Sequence, residues 1–491
     1  MSRWLLVVAA FAAMALSNGA HAHPLAAWIG PLLMVRLVRD ATGRSGVALG
    51  WLVFVAAWLV GWAGVFRLGL AELAPMGLIL SGLGFVPFWL DRIVAWRLPI
   101  LAASLVLPCA NVAVEAGLGL ASPFGAWGAL GYSQVELLPL AQLASLTGVH
   151  GLSFLPFWFA SLAVSAWDAR SAGRSWRMPA FAFLSVMLIV LGFGGMRLFA
   201  GDERPRLAAA MVAPSLQSNA NYDEWLGPRI ADELFDASSR AAAGGALLVA
   251  WPEDSLFLRR VAEGKLLARA ARLAERRRIH LALAYGLRIA PQGLAYRNRL
   301  VLIGPDGRMV WRYDKAHPVP GYEARHMQPG SAPIARAATS LGILAGAICY
   351  DGDHEMVLEG AVGARLLLLP SDDWPAIATL HARMARLRAL EIGIPLLRPT
   401  INGIAVASDA KGSLLAWRDS RRPENFVIHA DLPLNAKPTL RSVFPLWFPA
   451  VATILLSALL AWALLRSRAT APAADAQPSE SASVAGSAAG S

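Results

Sequence analysis

The sequence predicts a polytopic α-helical membrane domain joined to an α/β extramembrane domain. Of its 491 residues, 56% are hydrophobic and only 16% are charged. Apolar stretches of about the length that crosses a bilayer as a helix recur in the first 200 residues. Strand-like and helical patterns then alternate between residues 203 and 440, as in α/β domains. The chain is too long for one ordinary domain, so a membrane part and a soluble part together account for it.

Eight apolar segments predict the membrane spans, seven of them in the first 200 residues. They lie at 4–20, 24–36, 46–66, 73–90, 98–117, 141–166, 179–198 and 444–465. We expect an N-terminal membrane domain over residues 1–200 with about seven transmembrane helices, the first two of which can form a tight pair. The last segment predicts a C-terminal transmembrane helix over 441–466.

The distribution of arginine predicts the orientation of these spans. Basic loops stay in the cytoplasm, and basic residues follow the second, fourth and sixth segments: Arg36, Arg39, Arg44, Arg92, Arg97, Arg170, Arg174 and Arg177. We therefore expect a cytoplasmic N-terminus and an extramembrane domain outside the cytoplasm; the family resemblance described below implies the bacterial inner membrane, with this domain on the periplasmic side. A cleavable signal peptide ending near Ala20-His21-Ala22 is an alternative for the first segment, and it leaves the remaining topology unchanged.

The formal net charge of +11 could indicate a nucleic-acid partner. Many of the arginines flank apolar segments, however, where the positive-inside rule already explains them. We therefore expect a membrane partner and no nucleic acid.

The extramembrane domain is expected over residues 201–440. Predicted strands lie at 207–213, 246–252, 280–287, 298–303, 309–313, 342–349 and 364–370, and predicted helices at 224–243, 257–278 and 376–392. The tail, residues 467–491, is rich in Ala, Ser, Gly and Pro and is expected to be a disordered cytoplasmic segment.

Three reactive side chains end predicted strands. They are Glu253, Lys315 and Cys349, and side chains at the carboxyl ends of neighbouring strands converge on one crevice. Glu253 could take the thiol proton, and Lys315 could stabilise the thiolate and then an oxyanion. Each residue alone also fits a structural role, the cysteine as a small core residue and the two charges as solvated loop groups. The only other cysteine, Cys109, lies in an apolar stretch, so we expect no disulfide.

These segments resemble the carbon–nitrogen hydrolase (nitrilase) superfamily and, within it, the apolipoprotein N-acyltransferase family. Residues 251–253 (Trp-Pro-Glu) are similar to the catalytic-glutamate motif, and residues 313–315 (Tyr-Asp-Lys) to the lysine motif. Glu323 is similar to the second glutamate beyond that lysine, and residues 348–350 (Ile-Cys-Tyr) to the nucleophile motif. Late signatures are similar at 371–374, 384–391, 396–398 and 402–403, and membrane-domain signatures at 131–134, 140–142, 148 and 151–154.

The resemblance implies an αββα-sandwich catalytic domain that works without a metal or organic cofactor. Cys349 would accept an acyl chain from a phospholipid donor as a thioester. The α-amino group of a diacylglyceryl-modified apolipoprotein would then collect that chain. Glu253 would act as base and then acid, Lys315 and the backbone N–H of Tyr350 would hold the oxyanion, and Glu323 would support Lys315.

Several positions depart from the family pattern and predict a divergent member. Asp351 stands where Glu is usual, the residues around Trp374 read Ser-Asp-Asp-Trp-Pro-Ala, and Ile401 precedes Asn402-Gly403. The stretch near the start of the domain ends in Asn221-Tyr222. We expect Asp351 and Trp374 to support the site. Three alternatives stay open: a membrane-tethered amidase in which water resolves the thioester, an acyltransferase with another amine acceptor, and a catalytically idle homologue that binds lipoproteins or partner proteins.

Overall fold

The computed structural model describes residues 2–201, 205–215, 226–289, 295–331, 333–422 and 424–469. The expectations for Asn221-Tyr222 and for the tail beyond residue 469 lie outside the described residues.

The N-terminal region is a bundle of helices. They are α1 (Arg3–Ala15), α2 (Pro24–Arg39), α3 (Gly43–Gly61), α4 (Leu70–Val94), α5 (Ile100–Ser104), α6 (Val106–Ala121), α7 (Leu138–Ala141), α8 (Ala144–Thr147), α9 (Val149–Ser171) and α10 (Arg177–Phe199). Within the described ranges, six helical segments of the whole chain are long and apolar enough to cross a membrane: Gly43–Gly61, Ala71–Arg97, Ile100–Ala121, Val149–Ser171, Arg177–Phe199 and Trp447–Arg466. The first two helices have only 13 and 16 residues, and they pack against each other.

The two ends of the bundle differ in chemistry. At one end the arginine-rich helix termini form ion pairs, Arg39 with Asp91 at 2.7 Å and Arg36 with Asp168 at 2.5 Å. Asp168 lies near the C-terminus of α9, whose first amide, on Val149, donates to a glutamate of the α/β domain. A helix rises about 1.5 Å per residue, so the 23 residues of α9 hold the basic end far from the α/β domain.

The α/β domain contains two large sheets, one of seven strands and one of six. The first sheet runs β15-β1-β2-β4-β5-β6, with β3 beside β4, and the second runs β14-β13-β11-β9-β8-β7. Their strands are β1 (Arg206–Ala213), β2 (Leu248–Ala250), β3 (Phe257–Arg259), β4 (His280–Arg288), β5 (Tyr296–Ile303), β6 (Met309–Asp314), β7 (Ala335–Thr339), β8 (Gly342–Gly346), β9 (Leu366–Leu368), β11 (Leu396–Arg398), β13 (Ile404–Ser408), β14 (Leu414–Asp419) and β15 (Phe426–Pro433), while β10 (Ser371–Asp372) and β12 (Thr400–Ile401) pair separately.

The sheets pack face to face and form an αββα sandwich, which confirms the predicted fold class. Leu300 and Leu302 of the first sheet belong to the same buried core as Leu344 and Leu366 of the second. Helices α11 (Gly227–Ala243) and α12 (Arg260–Arg277) cover the first sheet. On the second sheet lie α13 (Glu355–Leu358) and α14 (Ala378–Ile392), and the chain ends in α15 (Leu440–Val443) and α16 (Trp447–Ala469).

Helix α14 lies between the second sheet and the membrane helices. Ala385 and Ala389 belong to the same buried cluster as Leu397 of β11, in the second sheet. Leu380 and Leu387 instead share a buried cluster with Leu152 of α9. The outer helix layer of the sandwich is therefore buried on both sides, and it fixes the α/β domain against the bundle.

Candidate active site

The three sequence-predicted reactive residues come from turns that follow three strands. Glu253 follows β2 and Lys315 follows β6, both in the first sheet, while Cys349 follows β8 in the second sheet. All three are buried, with exposed fractions of 1%, 1% and 3%. The site therefore lies where the loops of the two facing sheets meet.

Lys315 bridges two glutamates. Its Nζ donates to Glu253 Oε1 at 2.8 Å and to the two oxygens of Glu323 at 2.8 and 2.7 Å. Burial opposes the charge of Lys315, but the two carboxylates outweigh it and raise the pKa of the lysine well above its usual value. Burial also raises the pKa of Glu323, against the effect of Lys315. Lys315 is thus held as a cation, and both oxygens of Glu323 accept from its head group.

Cys349 begins the turn that follows β8, with a backbone φ of 47°. A non-glycine residue in this region is uncommon and is found preferentially at functional sites. Burial and the charge of Glu253 raise the pKa of the Cys349 thiol well above its usual value, and Lys315 opposes that rise. The resting side chain is therefore a thiol that needs a base.

Tyr350 and Asp351 tie this turn to its surroundings. The Tyr350 hydroxyl donates to Pro123 O, in the membrane domain, at 2.5 Å. Asp351 accepts from the backbone amides of Ala316 and His317, at 3.2 and 2.9 Å, directly after the lysine. The carboxylate thereby couples the lysine loop to the cysteine turn.

Trp374 lies where a loop of the membrane domain reaches the site. Its Nε1 donates to Gly64 O, beyond α3, at 2.9 Å. The Arg67 guanidinium lies 5.1 Å from the Trp374 ring and 4.4 Å from the ring of Tyr322. These contacts join the two domains beside the site.

Three further residues surround Glu253 and were not predicted. Asn298 Nδ2 donates to its Oε1 at 2.7 Å, and the Asp372 amide donates to its Oε2 at 2.6 Å. Burial raises the pKa of Asp372 to about 8, so its carboxyl is mostly protonated at neutral pH. Desolvation raises the pKa of the half-buried Asp254, next to Glu253, well above the usual value. A polar Asn298 inside an apolar strand was a usable sequence signal, and Asp372 lies in the late signature at 371–374, whereas Asp254 gave no signal.

Two groups of ligand-type atoms among the described residues are close enough to share a cation. One is Glu253, Asp254 and Glu323, and the other is Cys349, Asp373 and His381. In the first, Lys315 already occupies the glutamate oxygens. In the second, His381 and an arginine already bind the Asp373 carboxylate. In both groups, carboxylate oxygens are thus already engaged in ion pairs within the protein.

Comparisons with known proteins agree with this architecture. A family model described as carbon-nitrogen hydrolase matches residues 208–437, and a model of the apolipoprotein N-acyltransferase N-terminal domain matches residues 5–162. A solved structure of an amidase from Nesterenkonia sp. is similar at 21% identity over 47% of this chain and 91% of its own, with a TM-score of 0.39.

Curated relatives include an apolipoprotein N-acyltransferase of Bradyrhizobium diazoefficiens, 28% identical over 64% of this chain and 65% of the relative. One from Geobacter metallireducens is 28% identical over 59% and 60%, and one from Agrobacterium fabrum is 26% identical over 86% and 88%. The chain thus spans somewhat less than two thirds of the length of the first two relatives.

The two facing sheets with their helix layers and the match over 208–437 define a carbon–nitrogen hydrolase domain carried by a membrane protein. The N-terminal region matches a second model, that of the apolipoprotein N-acyltransferase N-terminal domain, so both halves of the chain are similar to proteins of that family.

Proposed function

We propose that this protein transfers an acyl chain from a membrane phospholipid to the α-amino group of the diacylglyceryl-modified N-terminal cysteine of apolipoproteins. The observation that supports this best is the buried group of Glu253, Lys315 and Cys349 at the junction of the α/β domain with the membrane helices. A site in that position can receive substrates that stay anchored in the bilayer.

The first half-reaction acylates the cysteine. Glu253 takes the thiol proton of Cys349, and the sulfur attacks the ester carbonyl. Lys315 and the backbone N–H of Tyr350 stabilise the oxyanion. The ester C–O bond then breaks, and Glu253 returns the proton to the leaving lysophospholipid oxygen. The products are an acyl thioester and a lysophospholipid.

The second half-reaction transfers the acyl chain to the amine. The neutral α-amino group attacks the thioester carbonyl while Glu253 accepts one of its protons. The C–S bond breaks, the sulfur regains a proton from Glu253, and an amide is released. Both half-reactions use the same base, so one carboxylate acts twice without a net change in its protonation.

The charge distribution supports a periplasmic active site in the inner membrane. The arginine-rich end of the bundle is the end that the positive-inside rule places in the cytoplasm, and α9 separates it from the α/β domain. A green fluorescent protein fused after residue 466 should therefore fluoresce, because the C-terminal end of α16 would be cytoplasmic. A dark fusion with active alkaline phosphatase at the same position would reverse the assignment.

The test is intact-mass spectrometry of the full-length protein in detergent with phospholipid but no amine acceptor. We expect an added acyl mass that hydroxylamine removes and that Cys349→Ala lacks. No adduct on folded protein with several donor lipids would contradict the proposal.

A chase then separates transfer from hydrolysis. The acyl-enzyme is mixed either with a diacylglyceryl lipopeptide that has a free α-amine or with its N-acetylated counterpart as the matched control. We expect amide product with the free amine and a persistent thioester with the acetylated peptide. Equal loss of the thioester to free fatty acid in both arms would indicate an amidase-type hydrolase instead.

A further inference from the structure

A second charged cluster borders Cys349, apart from the group around Lys315. It consists of the buried side chains Asp353, Asp373, His381 and Arg398. The Cys349 sulfur, a carboxylate oxygen of Asp373 and a ring nitrogen of His381 all lie within 4.8 Å of one another. The nucleophile therefore has an imidazole and a carboxylate as direct neighbours that the proposed reaction steps do not use.

The contacts of His381 define its protonation state. Its Nδ1 lies 2.7 Å from Asp373 Oδ1, and its Nε2 lies 3.1 Å from Asp353 Oδ2. Neutral imidazole carries one N–H, so one ring nitrogen would point a lone pair at a carboxylate, whereas imidazolium donates to both. Arg398 Nη2 lies 3.0 Å from His381 Nδ1 because both reach the same Asp373 oxygen, at 2.8 and 2.7 Å.

The charges of this cluster then cancel. Asp353 and Asp373 contribute two negative charges, and Arg398 and His381 contribute two positive ones. Trp127 Nε1, which is uncharged, donates to Asp353 Oδ2 at 2.8 Å, and Arg398 also donates to the uncharged Thr400 hydroxyl at 2.9 Å. Without the proton on His381, the cluster would carry one net negative charge beside a sulfur that must itself become negative.

The other charged groups that face the sulfur add to this need. Besides burial, Glu253, Asp373 and Glu323 act against the thiolate, and Lys315 acts for it. Asp372, on the same loop as Asp373, is mostly protonated at neutral pH. A second cation beside the sulfur would therefore lower the cost of forming the thiolate.

We propose that His381 is a positioning residue that, held as a cation between Asp353 and Asp373, stabilises the thiolate of Cys349. It neither gives nor takes a proton; the thiol proton still passes to Glu253. The inference rests on the proposed function only in taking Cys349 as the nucleophile, and it extends to any electrophile that the sulfur attacks.

The test is the pH dependence of Cys349 alkylation by iodoacetamide in the full-length protein in detergent, with no lipid added. Peptide mapping by mass spectrometry separates Cys349 from Cys109. Below about pH 8, where His381 keeps its charge, we expect His381→Gln to be alkylated at Cys349 about tenfold more slowly than wild type, since a unit charge within 5 Å of the thiolate is lost. The two profiles should converge above about pH 9, where wild-type His381 is neutral as well.

Trp127→Phe is the matched control. It removes the hydrogen bond to Asp353 and loosens the same cluster without changing a charge, so the apparent pKa should stay at the wild-type value. Coincident pH profiles for wild type and folded His381→Gln would overturn the inference. So would a wild-type Cys349 that stays unlabelled up to pH 10 in folded protein.

The outcomes also separate this inference from the proposed function. A shifted alkylation profile without any acyl thioester from phospholipid would refute the acyl transfer and leave the role of His381 intact. A normal thioester with an unshifted profile would refute the role of His381 alone.

Discussion

Lys315 is the residue on which the charge balance of the site depends. Its ammonium is the shared partner of Glu253 and Glu323, and all three side chains are buried. Removing one member of a buried ion cluster leaves the others uncompensated, which is more damaging than replacing the whole cluster by neutral groups.

We therefore predict that Lys315→Met destabilises the protein by about 3–5 kcal/mol, the usual range for a broken buried pair. Thermal unfolding in detergent, followed by tryptophan fluorescence, measures the loss. Lys315→Met combined with Glu323→Gln is the matched control and should recover part of the melting temperature. A single variant that melts like wild type would show that the cluster is not ionised as described.

Asp351 connects the loop after Lys315 to the turn that carries Cys349. It accepts from two amides after Lys315, and the Tyr313 hydroxyl donates to its Oδ2 at 2.9 Å. In Asp351→Asn, the side-chain NH2 group would face some of these donors and could not accept a hydrogen bond from them.

The predicted cost of Asp351→Asn is about 1–3 kcal/mol, from unsatisfied buried donors, together with slower formation of the acyl thioester. Asp351→Glu keeps the carboxylate and should lose less in both measurements, thermal unfolding and the rate of acylation. Wild-type stability and rate in Asp351→Asn would refute the coupling of the two loops.

The charge of His381 also makes stability depend on pH. Burial opposes the charge, but Asp353 and Asp373 raise the pKa of His381 from 6.5 to about 9. A pKa raised in the folded state stabilises the protein fully below pH 6.5, and that contribution is lost as the pH rises through about 9.

The melting temperature of wild type should therefore exceed that of His381→Gln by more at pH 6 than at pH 10. Differential scanning fluorimetry at both values measures the two gaps. An equal gap at the two pH values would mean that the side chain contributes packing and hydrogen bonds but no titrating charge.

At the scale of elements, the close approach of helices sets the shape of the membrane half. A Cβ on Gly194 of α10 would lie 1.8 Å from Pro139 O of α7, whereas nothing lies within 4 Å of a Cβ on Gly192 or Gly195. One glycine of three on the same helix is therefore required by contact.

We predict that Gly194→Ala lowers the melting temperature and the yield of folded protein, because α10 must move away from α7. Gly192→Ala and Gly195→Ala should be neutral or slightly stabilising, since alanine favours helix by up to about 1 kcal/mol. The three variants are compared by size-exclusion chromatography and thermal unfolding. Equal behaviour would place α10 elsewhere.

The strands of the α/β domain were largely predictable from the sequence. The run 280–287 became β4 (His280–Arg288), because continuous apolar strands buried on both faces leave a clear local pattern. The run 246–252 became only three residues, Leu248–Ala250, since the chain turns at Pro252 to present Glu253. Turns that aim a catalytic side chain are thus where periodicity says least.

The charged cluster behind Cys349 was not predictable in the same way. Asp353, Asp373, His381 and Arg398 are far apart in sequence and come together only through the packing of α14 on the second sheet. Each one alone reads as an ordinary polar residue. Glu323, which binds Lys315, was recognised only because it lies in a motif of a known family.

At the scale of the whole molecule, the α/β domain packs directly against the membrane helices through buried contacts. Arg388 of α14 pairs with Glu355 at 2.9 Å, and Glu391 accepts from the Val149 amide at the start of α9 at 2.5 Å. These buried contacts hold the candidate site at a constant height relative to the bundle, as the proposed reaction between two membrane-anchored lipids would require.

We propose that this protein matures lipoproteins through Cys349. The decisive experiment is complementation of a Gram-negative strain depleted of its own apolipoprotein N-acyltransferase, with wild type and Cys349→Ala expressed at equal levels in the membrane. We expect growth and triacylated lipoproteins, detected by mass spectrometry, with wild type and neither with the variant. Rescue by Cys349→Ala would refute the proposed role of this cysteine.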